Sequence, residues 1–122
     1  MAETIKEPCG VLIINKPEGP TSHDIVNKIR RLYSTKKVGH TGTLDPMATG
    51  VLVVLIGRAA KACEYSLSDR KRYTATLRLG IETDTEDTTG NILKESPVCV
   101  DESDVKAVLS SFKGRIKQIP PM

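Results

Sequence analysis

Aromatic side chains are nearly absent: the 122 residues hold no tryptophan, one phenylalanine and three tyrosines. So few rings exclude a surface that stacks one nucleic-acid base after another. The three cysteines, Cys9, Cys63 and Cys99, are odd in number, far apart and never spaced as C-x-x-C. That pattern supports neither a disulfide framework nor a zinc site and points to three reduced thiols. Only His23 and His40 could add imidazole ligands, and without a paired His or Cys no metal is expected. The longest apolar run, Val51 to Ile56, falls far short of the roughly 20 residues that span a bilayer. The opening MAETIKEP lacks a basic segment followed by an apolar one, so the expectation is a cytoplasmic protein.

Several familiar sites are missing too. There is no G-x-x-x-x-G-K-[ST], and Gly39, Gly42 and Gly50 miss the dinucleotide-binding spacing. TDTEDTTG does not meet the ligand positions of a calcium loop, and no serine stands in G-x-S-x-G. Internal repeats and low-complexity tracts are likewise absent.

What is present is the composition of a soluble globular protein, 39% apolar and 27% charged, in a length that suits one domain or part of a larger one. The net charge of +3 conceals an asymmetry. Residues 1–80 carry 13 Lys or Arg against 7 Asp or Glu (+6), whereas residues 81–122 carry 5 against 8 (−3). An anionic partner such as nucleic acid would be drawn to the first two thirds.

Val11 to Asn15 reads as a buried strand closed by the turn Lys16-Pro17-Glu18-Gly19-Pro20. Thr21 then N-caps a helix, with Asp24 as its capping-box partner and Ile25, Val26, Ile29 and Leu32 on one face. Val51 to Ile56 reads as a central strand buried on both sides. Arg58 to Ser66 suits a helix with Ala59, Ala60, Cys63 and Leu67 inward. Arg72 to Leu79 alternates strictly and gives the clearest strand signal in the chain. A polar loop over residues 80–90 leads to a short strand at Ile92 and Leu93. Asp101 caps a last helix whose Val105, Val108, Leu109 and Phe112 share a face, with Gly114 as its stop. A short strand from Arg115 runs into Pro120 and Pro121, an ending unlike a domain terminus.

The chemistry concentrates in KKVGHTGTLDPMATGVL. Pro46 fixes its own φ and pushes Asp45 out of the helical region, so Asp45 is presented from a rigid corner. A carboxylate so placed suits a nucleophile that attacks a sugar or ring carbon and leaves again. It equally suits an N-cap for a short helical turn through Met47 and Ala48. His40 fits a loop hydrogen-bonding residue or a catalyst, and Tyr73 lies on the apolar face of its expected strand.

GVLIINKPEGPTSHDIV, KKVGHTGTLDPMATGVL, DRKRYTATLRLGIETDTEDTTG and FKGRIKQIPPM, in this order and spacing, resemble the tRNA pseudouridine synthase B family from about Gly10 to Met122. The resemblance implies an α+β fold, a pseudouridine-synthase-like mixed sheet flanked by helices and incomplete in this chain. Residues 1–122 would be the N-terminal part of the catalytic domain. The family's further strands, the arginine that pairs with its catalytic aspartate and its C-terminal RNA-binding domain would lie outside. The implied activity is isomerisation of uridine 55 in the T loop of tRNA, with no metal or organic cofactor, by a full-length monomer that touches no membrane. Asp45 stands at the catalytic aspartate and Tyr73 at the tyrosine that stacks on the target base. His40 stands at the loop histidine near the extruded nucleotide, and Lys16 with Pro17 at the K-P motif that supports the site. Gly42 and Thr43, inside the loop motif, and Arg72, beside Tyr73, complete the implied substrate-binding set.

Such an enzyme must flip its uridine out of the T loop, and a basic rim suits the phosphates. Arg30, Arg31, Lys36, Lys37, Arg58, Lys61, Arg70, Lys71 and Arg72 are available. Attack at C1′ and attack at C6 both fit the residues. Two alternatives stand beside this reading: a relative that works with a guide RNA, and a non-catalytic tRNA-binding or folding module. Exposed sheet edges would favour dimers or aggregation of the 122 residues alone.

Overall fold

The computed structural model describes residues 7–66, 70–117 and 119, in two compact units, Met1–Arg72 and Tyr73–Met122.

In the first unit, β1 (Gly10–Lys16) lies antiparallel to β3 (Gly50–Ile56), in register from Gly10 opposite Ile56 to Lys16 opposite Gly50. The short β2 (Val38–His40) pairs antiparallel with the other side of β3. The strand order β1-β3-β2 makes β3 the central strand, as its sequence implies. Alternation puts Leu12, Ile14, Leu52, Val54 and Ile56 on one face, where they meet Ile25, Val26 and Ile29 of α1 (Ser22–Leu32) and Val38 of β2. This is the core of the unit. The opposite face is partly open: Val11, Ile13 and Val51 are exposed. Burial of β3 on both sides therefore holds only toward its end, where Leu55 is also buried.

The start of α1 follows the expected chemistry. The Thr21 side chain accepts from the Asp24 N–H, and the Asp24 carboxylate accepts from the Thr21 N–H at 2.8 Å, a complete capping box. Arg58 to Ser66 is not one regular helix. A 3₁₀ turn over Gly57–Ala62 precedes the single-turn α2 (Cys63–Ser66). Ala59, Ala60 and Cys63 are half-buried, as expected, and Leu67 lies outside the described residues. Gly57 explains the tight entry to this turn. Its φ is +64°, and a Cβ there would collide with the Pro8 carbonyl.

The second unit contains the antiparallel pair β4 (Ile81–Thr83) and β5 (Ile92–Glu95), with a register shift at Glu82/Thr83. The helix α3 (Glu102–Ser111) follows, with Asp101 and Asp104 in a second capping box. Gly114 adopts φ +82° just past its end. The architecture is thus α+β, and the ladders among the described residues are antiparallel.

Two expectations fail from Arg72 onward. Arg72 to Leu79 forms no strand. Alternation creates a face but supplies no partner for the ladder, and a strand persists only through bonds to a neighbour. The segment from Arg115 forms no strand among the described residues, while Pro120 and Pro121 lie outside them. The shared face of α3 is not buried: Val108, Leu109 and Phe112 are 59%, 53% and 62% exposed.

Candidate active site in the Asp45 loop

The end of β1 carries an unusual group for its place. Lys16 continues the inward-facing alternation of Leu12 and Ile14, and the residue is fully buried. Its Nζ donates to the carbonyls of Pro17 at 2.9 Å, Pro20 at 2.8 Å and Pro46 at 3.1 Å. An ammonium has three protons, so all of its donors are used. Lys16 therefore ties the proline turn after β1 to the loop that carries Asp45. With three carbonyls bound and no exposed surface, Lys16 has no free donor to offer a substrate and holds backbone instead.

Two further groups close on the same loop. The Gly19 N–H donates to the Pro46 carbonyl at 2.8 Å, from a backbone with φ +104° that favours glycine. Ser22, in the first turn of α1 and 2% exposed, donates its hydroxyl to the Leu44 carbonyl at 3.1 Å. The same Oγ accepts from the Leu44 N–H at 2.9 Å. Leu44 itself packs against the core. Asp45 thus sits between two residues whose peptide groups are held by the end of β1, the proline turn and the start of α1.

Asp45 opens a tight turn in which the Ala48 N–H donates to the Asp45 carbonyl at 3.0 Å. Proline at the second position suits such a turn because its φ is preset. No helix follows through Met47 and Ala48, so the N-cap reading of Asp45 has nothing to cap. The side chain is exposed. The loop carries a carboxylate open to solvent on a backbone that is fixed on both sides.

The other expected site residues stand in different settings. His40 ends β2, half-buried, and among the described residues its sealed Nδ1 has no hydrogen-bond partner. Gly42 lies under Lys71, whose Cε and Nζ would be 2.8 and 2.9 Å from any Cβ at that position. The missing side chain makes room for a cation over the loop. Thr43 and Arg72 are exposed. Tyr73 opens the second unit and is 58% exposed, so it does not belong to the core that its alternation implied.

His40 also lines a groove of about 730 Å³ in the first unit, together with Arg30, Lys36, Lys37, Arg58 and Lys61. Lys37 is paired with Glu7 at 2.8 Å in an exposed ion pair of small energetic weight. The wall contains Cys63, whose thiol is pushed up by burial. It is protonated at neutral pH and unsuited to nucleophilic attack. No cluster of metal-ligating side chains occurs among the described residues. The groove can therefore receive an anion, while Asp45 is an exposed acid on a loop whose backbone is held from both sides.

Sequence reasoning missed Ser22 and Gly19. Ser22 stands one residue past an evident N-cap, where a serine is ordinary, and only its approach to a loop 22 residues away reveals its function. Glycine between two prolines signals a turn but not which carbonyl its N–H will meet.

Residues 30–122 match the family described as TruB family pseudouridylate synthase (N terminal domain). The chain is 54% identical over 115 residues to tRNA pseudouridine synthase B of Bacillus subtilis (strain 168), covering 93% of this chain and 37% of that protein. It is 50% identical over 113 residues to the Clostridium kluyveri protein of the same name, covering 93% and 39%. The Serratia proteamaculans protein of that name is 46% identical over 113 residues, at 93% and 36%. The chain thus spans well under half the length of the curated relatives it matches. Among solved structures it is similar to a chain in an H/ACA RNP bound to a substrate RNA containing 2′-deoxyuridine. There the TM-score is 0.59 at 28% identity, covering 91% of this chain and 30% of that one. An archaeal box H/ACA sRNP complex gives the same TM-score at 30% identity, covering 88% and 29%.

Proposed function

This chain belongs to the TruB family of pseudouridylate synthases, and from that membership we propose that it forms the nucleophile-bearing part of a cytoplasmic tRNA pseudouridine synthase acting on uridine 55 of the T loop. The observation that carries this reading is the placement of Asp45: solvent-open, between Leu44 and Pro46, whose backbone groups are held by Ser22 on one side and by Lys16 and Gly19 on the other. A nucleophile must meet a flipped nucleotide at one distance and one angle, and a preset backbone removes most of the search.

In the proposed reaction the Asp45 carboxylate attacks C1′ or C6 of the uridine. The C1′–N1 bond breaks, the uracil turns and C5 bonds to C1′; the bond to Asp45 breaks and frees the carboxylate, the C5 proton is released to water and N1 takes up a proton. Reaching the base requires its extrusion from the loop, with Tyr73 as the stacking platform and the cationic groove as a seat for phosphates. Binding should weaken steeply with salt, because each neutralised phosphate releases counterions. The greater identity to curated tRNA pseudouridine synthase B proteins, 46–54% against 28–30% for the H/ACA structures, favours a stand-alone enzyme over a guide-dependent one.

The test places this chain in the Bacillus subtilis relative in exchange for the matching 115 residues and measures tritium release from a T-arm hairpin labelled at uridine C5. Release is expected with the native loop and is expected to vanish with Asp45→Asn. Undiminished release from Asp45→Asn would remove Asp45 as nucleophile. Binding of the hairpin without release by the unmodified chimera would leave an RNA-binding module.

A further inference from the structure

We propose that Ser22 is a positioning residue for Asp45, setting the reactivity of the loop without touching the substrate; this rests on the reading of Asp45 as nucleophile. The inference stands on a single hydroxyl performing both halves of a backbone pairing. Its proton goes to the Leu44 carbonyl at 3.1 Å and its lone pair receives the Leu44 N–H at 2.9 Å. Both bonds fall on the residue that precedes Asp45. Ser22 is 2% exposed, so water cannot readily replace either bond when the hydroxyl is removed.

The geometry has a functional sense that helix packing alone lacks. Pro46, on the far side of Asp45, is already held twice, by Lys16 and by Gly19. Leu44 has Ser22 as its polar anchor. Loss of that anchor frees the peptide between Leu44 and Asp45 to rotate, and rotation there swings the Asp45 Cα–Cβ bond directly. The far side stays pinned, so the loop keeps its place on the unit while its carboxylate loses its aim. A displacement of about 1 Å at a reacting group costs on the order of a hundredfold in rate. Ser22 also belongs to α1, whose neighbouring Arg30 lines the cationic groove, so one helix would hold both the aim of the acid and a wall of the anion seat.

The experiment compares the chimera described above carrying Ser22, Ser22→Ala or Ser22→Cys. Cysteine keeps a side chain of similar shape but bonds weakly. Single-turnover tritium release and hairpin affinity are measured on the folded protein. Amide hydrogen exchange at Leu44 and Asp45 is followed in the same samples. Both variants are expected to lose at least about tenfold in the single-turnover rate while hairpin affinity changes less than about twofold. Leu44 exchange is expected to speed up by about tenfold, with Val54 exchange unchanged. Variants that melt earlier but react at the parental rate once folded would overturn the proposal, leaving Ser22 as helix packing. So would unchanged exchange at Leu44. If the unmodified chimera releases no tritium, the synthase reading fails by itself, and Leu44 exchange still decides whether Ser22 holds the loop.

Discussion

Residues 7–66 and residues 73–117 of the same chain carry similar sequence signals and reach opposite ends of the burial scale. Each region has an acid-capped helix, a strand pair and a hydrophobic stripe at helical spacing. In the first, Val26, Leu52 and Val54 are 2% exposed or less. In the second, no described side chain is buried. The comparison shows that amphipathic patterning prepares a face and that burial requires a second face to meet it. α1 lies over a three-stranded sheet whose inner residues answer its own, whereas β5 is exposed along its whole length and α3 keeps Leu109 and Phe112 in solvent.

The largest test of this contrast replaces a leucine on each side. Leu52→Ala, at a site 1% exposed, is expected to cost about 2–5 kcal/mol, because it removes transfer free energy and leaves a cavity. Leu109→Ala, at 53% exposure, is expected to cost less than about 1 kcal/mol. Urea unfolding of both variants measures the two. Equal losses would show that the second unit buries its helix face in solution.

A smaller effect is expected from Lys16→Met, which keeps the buried volume and removes the ammonium. The Pro17 and Pro20 carbonyls lose their Lys16 bonds, while Pro46 retains the Gly19 N–H. Relief from burying a charge offsets part of this, so the net loss is about 1–3 kcal/mol by thermal melting. A variant as stable as the parent would mean that desolvation of the lysine cancels its three bonds. The first unit would then keep its fold without this tie.

The smallest effect separates the two helix caps by pH. Hydrogen bonds from the Thr21 side chain and backbone hold the Asp24 carboxyl below its ordinary value. The Ser103 hydroxyl and the Asp104 and Ser103 N–H groups do the same for Asp101. A carboxyl depressed in the folded state contributes stability that is present above its unfolded pKa, about 4. That contribution is lost as pH falls through the folded value. α1 has a buried face to hold it when its cap protonates, and α3 has none. Backbone carbon shifts followed from pH 6 to pH 2.5 should show α3 losing helicity before α1. Simultaneous loss would show that capping, not burial, governs both.

Much of this was legible in the residues. Thr21 with Asp24, and Asp101 with Asp104, announce helix starts because capping is local chemistry within four residues. Val51 to Ile56 announces a central strand because its apolar run is short and β-branched. Asp45-Pro46 announces a fixed corner. The alternation of Arg72 to Leu79 misled because period two describes which way side chains point and says nothing of whether a neighbouring strand exists. Arg58 to Ser66 misled in part because the close approach of Gly57 to Pro8 is a contact between segments that lie 49 residues apart in sequence.

The sequence by itself determined where the capped helices begin, which strand is central, and that Asp45 stands at a corner fixed by Pro46, because these rest on interactions between near neighbours and on hydrophobic pattern. Tertiary structure alone decided that Lys16 turns inward to three carbonyls, that Ser22 grips Leu44, and that an alternating segment stays unpaired. Each of these depends on which distant groups share space, and hydrogen bonding in a buried place is decided by the partner found there.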